Sequence, residues 1–198
     1  MRESVTFGAA THIGLVRANN EDNHAIVDTD GGLPCALILA DGMGGHSRGE
    51  LASKIAVDYA RERLSSELSA VHSAEDMVRI LSDIIERANV KVYLGSLQEN
   101  GNRGMGTTLT MAVLHNNQIL LAHVGDCRAY LYREGDLIRL TVDHTLVQEL
   151  LAAGTLTPAE TVDHPRRNVL TRALGFPEYI QPDFTSLPAR RGDRLMLC

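Results

Sequence analysis

Leu39-Ala40-Asp41-Gly42-Met43-Gly44-Gly45-His46 is the stretch whose reading decides this chain. The apolar run Ala36 to Ala40 predicts a buried strand, and it breaks into an aspartate and then Gly42, Gly44 and Gly45. Such a break delivers a carboxylate to the end of the strand. The glycines let backbone approach whatever that carboxylate binds. A carboxylate beside bare carbonyls suits a hard cation such as Mg2+ or Mn2+.

Two other places look alike. Asn20-Glu21-Asp22 lies upstream, behind Arg17, and Gly125-Asp126 closes the apolar run Ile119 to Val124. Three acidic strand ends and one arginine point to a carboxylate-lined metal site that handles a phosphate.

At 198 residues and 44% hydrophobic content the chain can form one full domain with its own core. Its formal charge of −6 argues against nucleic acid or an anionic membrane as partner. Cys35, Cys127 and Cys198 match no zinc spacing, and Cys35 and Cys127 sit in apolar, strand-like runs. The odd cysteine count and the absence of an apolar leader after Met1 favour a reducing cytoplasm. A cytoplasmic monomer without membrane insertion is the expectation.

Strands are predicted at Val5 to His12 and His24 to Val27, with a turn over Asp28-Thr29-Asp30-Gly31-Gly32. From Glu50 a helical period runs through Leu51, Ile55, Tyr59, Leu64 and Leu68, with Ala52, Ala56 and Ala60 beside it. Ser73 with Asp76 predicts the capped start of a second helix, whose apolar face is Met77, Ile80, Leu81, Ile84, Ala88 and Val92. After a polar loop from Glu99 to Gly104, strands are predicted at Gly106 to Val113, Gln118 to Val124, Cys127 to Tyr132 and Leu137 to Leu140. Asn116-Asn117 and Glu134-Gly135 are the short turns between them, so the pairing should be antiparallel. Thr145 to Ala153 reads as a short helix with Asp143 as a candidate cap, and Thr157-Pro158 begins another. Thr107 and Thr108 read as packing residues, and Arg128 as a structural partner of the Gly125-Asp126 turn. Strand runs alternating with helix runs in this order indicate layered α+β rather than a doubly wound sheet.

Arg17-Ala18-Asn19-Asn20-Glu21-Asp22-Asn23, Asp41-Gly42-Met43-Gly44-Gly45-His46, Gly106-Thr107-Thr108 and Gly125-Asp126-Cys127-Arg128-Ala129 occur in that order, followed by Asp143-His144 and Asn168-Val169-Leu170-Thr171-Arg172-Ala173-Leu174-Gly175. Together these motifs resemble the metal-dependent protein serine/threonine phosphatases of type 2C in their compact bacterial form, over essentially the whole chain. The resemblance implies a four-layer α-β-β-α sandwich with two facing antiparallel sheets, and a single catalytic domain over residues 1–198. It implies that Asp41 bridges two Mn2+ or Mg2+ ions, with the Gly42 carbonyl on one of them. Glu21 and Asp22 would hold metal-bound waters, Asp22 also reaching a metal, and Asp126 would help bind a weaker third ion. Arg17 would clamp the substrate phosphate. Hydroxide formed at the two ions would attack phosphorus in line, with no cysteine nucleophile. Implied substrates are phosphorylated proteins, and a transmembrane serine/threonine kinase with its targets is the implied partner.

Two departures matter. Where animal relatives carry a histidine after the Asp-Gly pair, this chain has Met43, which cannot donate a proton; His46 would serve only if the glycine loop folds it back. Arg191 to Cys198 resembles the strand that in the family runs into Ser-Asp-Gly, whose aspartate is a ligand, with an Asp-Asn pair later. Neither motif occurs here, so the sandwich is expected to be C-terminally incomplete. That leaves two hypotheses of different class: a phosphoprotein phosphatase, or a non-catalytic phosphoprotein-binding or regulatory module with an incomplete metal site. A phosphatase of the sporulation or anti-sigma-antagonist type is a third, differing in partner rather than chemistry.

Overall fold

Antiparallel pairing organises the chain in this computed structural model, which describes residues 5–29, 32–44, 47–70, 73–98, 104–177 and 179–198. The strands are β1 (Asp22–Thr29), β2 (Gly32–Met43), β3 (Gly106–Thr107), β4 (Leu109–His115), β5 (Gln118–Val124), β6 (Ala129–Arg133), β7 (Asp136–Arg139), β8 (Asp183–Pro188) and β9 (Arg194–Leu197). The helices are α1 (Ser47–Glu67), α2 (Ala74–Gln98), α3 (Leu146–Ala152) and α4 (Pro158–Val162). The larger sheet has the order β1-β2-β4-β5-β8, with β3 also paired to β2; the smaller has the order β7-β6-β9.

The period-two alternation of the larger sheet sends side chains into two cores. Ala36, Ile38, Ala40, Met111, Val113, Leu120, Ala122 and Val124 face α1 and α2. Leu37, Ala112, Leu114, Ile119 and Leu121 face Ala129, Leu131, Leu195 and Leu197 of the smaller sheet. Leu81, Ile84, Leu109 and Met111 are fully buried, each contributing about 1.5–3 kcal/mol relative to an exposed side chain. The fold is therefore α+β with two facing antiparallel sheets, α1 and α2 forming an outer helical layer. Helices α3 and α4 pack chiefly on each other.

The second helix is as its sequence predicts. The Asp76 N–H donates to Ser73 Oγ at 3.0 Å, and Met77, Leu81, Ile84, Ala88 and Val92 are buried. The first helix keeps the predicted face at its C-terminal end, where Leu64 and the following Leu68 are buried, and shifts it toward the alanines before that. Ala52, Ala56 and Ala60 are completely buried, while Leu51 is exposed and Ile55 and Tyr59 are only partly covered. The small residues allow α1 to lie close against β1 and β2, which leaves Leu51, Ile55 and Tyr59 less covered than Leu64 and Leu68.

Four further expectations change. Residues 5–13 form no strand: among the described residues none pairs with them in a ladder. Strand β2 does not end at Ala40; β1 and β3 pair with its continuation, which runs on to Met43. The run Gly106 to Val113 is interrupted at Thr108, and Cys127 lies before β6 rather than in it. Asp143 caps nothing: Thr145 is the N-cap of α3, accepting from the Gln148 N–H, while Asp143 pairs with Arg128 and Arg139. The turn at Asp30-Gly31, His46 and the loop 99–103 lie outside the described residues.

Candidate active site

Asp22 of β1 and Asp41 of β2 are direct cross-strand partners. The same row continues through Thr108 to Gly125, since Leu39 pairs with Thr110, Gly42 with Thr107 and Leu109 with Val124. Alternation places the side chains of this row on the face turned toward the smaller sheet. Asp22, Asp41 and Asp126 all line a cleft of about 560 Å³ between the sheets, together with Thr11, His12, Cys127 and Cys198.

The backbone of Asp41 is fixed by the two threonines. Its N–H donates to Thr108 Oγ1 at 2.8 Å, and its carbonyl accepts from the Thr108 N–H at 2.9 Å and from Thr107 Oγ1 at 3.0 Å. Both threonines are buried. The hydroxyl of Thr108 takes the place of a ladder carbonyl, which interrupts the strand and locks Asp41. Sequence reading assigned both residues to packing; their position opposite Asp41 was not legible before the register was known.

Asp41 is open to the cleft by area, yet its surroundings desolvate its carboxyl. Burial first, then Asp22 and Asp126, push its pKa up to about 6, and a hydrogen bond with Asp22 adds to the shift. Arg17 works the other way. Burial and the nearby Asp143 also raise Asp126. Asp126 leaves β5 through Gly125, whose φ of +113° suits glycine, and a Cβ there would meet Thr108 Cγ2 at 2.4 Å.

Glu21 stands behind this pair. Its Oε1 is buried without a hydrogen-bond partner, and its Oε2 lies 3.9 Å from Arg17 Nη1. Its carbonyl accepts from the Gly42 N–H at 3.1 Å and from Ser53 Oγ at 2.5 Å. A Cβ on Gly42 would fall 2.0 Å from the Gly49 carbonyl oxygen, and one on Gly49 2.7 Å from Glu21 Cδ. Gly42 is thus required by the contact between β2 and α1. Arg17 is exposed, and it does not line the cleft.

A cation fits this chemistry. Hard oxygen donors with like charge converge where no buried counter-ion faces them, and a buried carboxylate oxygen has no partner. Among the described residues no group of three or more His, Cys, Asp or Glu is placed so as to hold a metal ion, so the fit rests on the opposed Asp22–Asp41 pair. The thiols offer no alternative nucleophile: burial pushes Cys127 up to about 12 and Cys35 up to about 11.

Comparison with known proteins gives the same class. A family profile described as protein phosphatase 2C matches residues 12–195. The serine/threonine phosphatase stp of Listeria monocytogenes serotype 4b is 38% identical over 188 residues, covering 95% of this chain and 74% of that one. Among solved structures, the S. agalactiae serine/threonine phosphatase superposes with a TM-score of 0.85 at 35% identity, covering 95% of this chain and 76% of that one. The catalytic domain of PstP, solved in complex with 2 manganese ions, gives a TM-score of 0.75 at 38% identity, covering 93% and 72%.

The chain belongs to the protein phosphatase 2C family. It is a protein serine/threonine phosphatase of the bacterial metal-dependent type, a hydrolase acting on phosphorylated proteins.

Proposed function

We propose that the Asp22–Asp41–Asp126 end of the sandwich is the catalytic centre, that it holds two Mn2+ or Mg2+ ions with a weaker third, and that it hydrolyses phosphoserine and phosphothreonine. The observation that carries this reading is the direct opposition of Asp22 and Asp41, whose mutual repulsion Arg17 only partly offsets, in a chain whose relative PstP was solved with two manganese ions. Asp41, Asp22 and the Gly42 carbonyl would hold the two ions, and Asp126 the third. Bound there, the cations lower the pKa of water so that hydroxide is available near neutral pH. Glu21, with its free buried oxygen, orients water. Arg17 stands on the chain just before Glu21 and binds the phosphate oxygens, for which a guanidinium is suited.

Residues 1–198 act as one catalytic domain. A cytoplasmic monomer fits the free thiols Cys35, Cys127 and Cys198; among the described residues no helix is long and apolar enough to cross a membrane. A serine/threonine kinase and its targets are the natural partners for this chemistry. The test is hydrolysis of an aryl phosphate and of a phosphothreonine peptide with and without Mn2+. Turnover that depends on Mn2+ and stops on chelation is expected. Phosphopeptide binding with no turnover at any metal concentration would make the chain a non-catalytic binding module instead.

A further inference from the structure

Behind the carboxylates lies a second buried group that the mechanism does not use. His123 and His144 are 1% and 3% exposed, with ring centroids 4.8 Å apart. His123 Nε2 lies 3.2 Å from the Val142 carbonyl, which can only accept, so Nε2 carries the proton and Nδ1 accepts from Thr110 Oγ1 at 2.8 Å. His144 is constrained the same way. Its Nδ1 accepts from the Gly125 N–H at 3.0 Å and must be bare, so a neutral ring carries its proton on Nε2. That nitrogen faces Asp183 Oδ2 at 3.2 Å, at an angle poorer than a hydrogen bond requires. Asp183 is held in turn by Arg172 Nη1 at 2.7 Å. The backbone adds a second tie, because the His144 N–H donates to the Gly125 carbonyl at 2.7 Å.

Both polar groups of Gly125 are therefore held by one residue, and the next residue is Asp126. We propose that His144 is a positioning residue: as a neutral imidazole with Nδ1 bare it fixes the Gly125–Asp126 turn and aims the Asp126 carboxylate into the cleft. Arg172 and Asp183 stand behind it, so the turn is referenced to β8 as well as to β5. Residues supporting metal ligands from behind typically change affinity by about 10–100-fold when altered. The proposal rests on Asp126 being a ligand.

The test uses His144→Asn, His144→Gln and Asp126→Asn. Asparagine keeps an acceptor near the Nδ1 position; glutamine moves its amide toward the Nε2 position and withdraws that acceptor. Both lose the ring that packs against His123, so a merely structural role affects both alike. In metal-free protein, NMR hydrogen exchange of the Gly125 amide should stay slow in His144→Asn and become fast in His144→Gln. In calorimetric Mn2+ titration, His144→Gln should weaken the site that depends on Asp126 by about tenfold, and His144→Asn by less than about threefold. Equal exchange and equal Mn2+ affinity in the two His144 variants would overturn the positioning role. Wild-type affinity in Asp126→Asn would remove the ligand itself, and the role with it.

Discussion

Asp41 and Asp143 are both acidic side chains near Asp126, and the fold treats them in opposite ways. Asp143 receives two bonds from Arg128, at 3.1 and 2.7 Å, and another from Arg139. Asp41 receives a second aspartate. An arrangement serving stability alone would pair every carboxylate as Asp143 is paired. Asp41 is left in surroundings that disfavour its charge, which is the mark of a group awaiting a cation.

Asp41→Asn is the sharpest way to break this contrast. Turnover with Mn2+ should fall at least ~100-fold, since the carboxylate proposed to hold the ions is gone; activity that survives both this change and chelation would sink the metal mechanism. Arg17→Ala should come next. It should raise KM for a phosphopeptide by the equivalent of about 1.5–3 kcal/mol, the worth of a charge-assisted contact, while leaving Mn2+ affinity nearly unchanged. A shifted metal titration with an unaltered KM would mean that Arg17 serves Glu21 rather than phosphate.

Asp143→Asn should destabilise the protein by about 2 kcal/mol, because two guanidinium groups lose their anion. Urea denaturation of the metal-free protein reads this directly, and an unchanged midpoint would count against the contrast. The smallest effect has the opposite sign. Asp41→Asn should stabilise the metal-free protein by about 1 kcal/mol, after allowance for solvent at the cleft. The folded pKa of Asp41, about 6, lies above its unfolded value near 3.8, so the strain is present when the group is ionised. The gain should be full above pH 6 and gone by about pH 4. His123 works against this in the same window. Burial, then His144, lowers it from 6.5 to about 4, so its contribution is complete above pH 6.5 and is lost as the pH falls toward 4. A denaturation series of wild type and Asp41→Asn should therefore show two curves that converge at low pH; parallel curves would show that Asp41 is not strained.

Much of the candidate site was legible in the sequence, because acidic residues at the ends of apolar runs carry their own signal. Asp22, Asp41 and Asp126 were named from that pattern, and the cleft brings all three together. What supports them was not legible. Thr108 and His144 act through partners 67 and 19 residues away, and no local spacing announces a contact that only strand register creates. Asp143 was misread for a related reason: position before a helix suggested a cap, while two arginines on other elements compete for it. The inward face of α1 was legible except in its ranking: Leu51, Ile55 and Tyr59 are less buried than the alanines beside them. Periodicity ranks residues by bulk, whereas clearance against the sheet selected the alanines.

That clearance has a last consequence at Gly42 and Gly49. The two backbones meet with no room for a methyl group on either side, and Glu21 is wedged against the same spot. Neither glycine has the positive φ that would call for one, so the demand is for space alone. Helix α1 and strand β2 consequently touch backbone to backbone at this point, and the two missing side chains set the distance between them. A side chain at either glycine would have to push α1 away from the Asp41–Gly42 backbone.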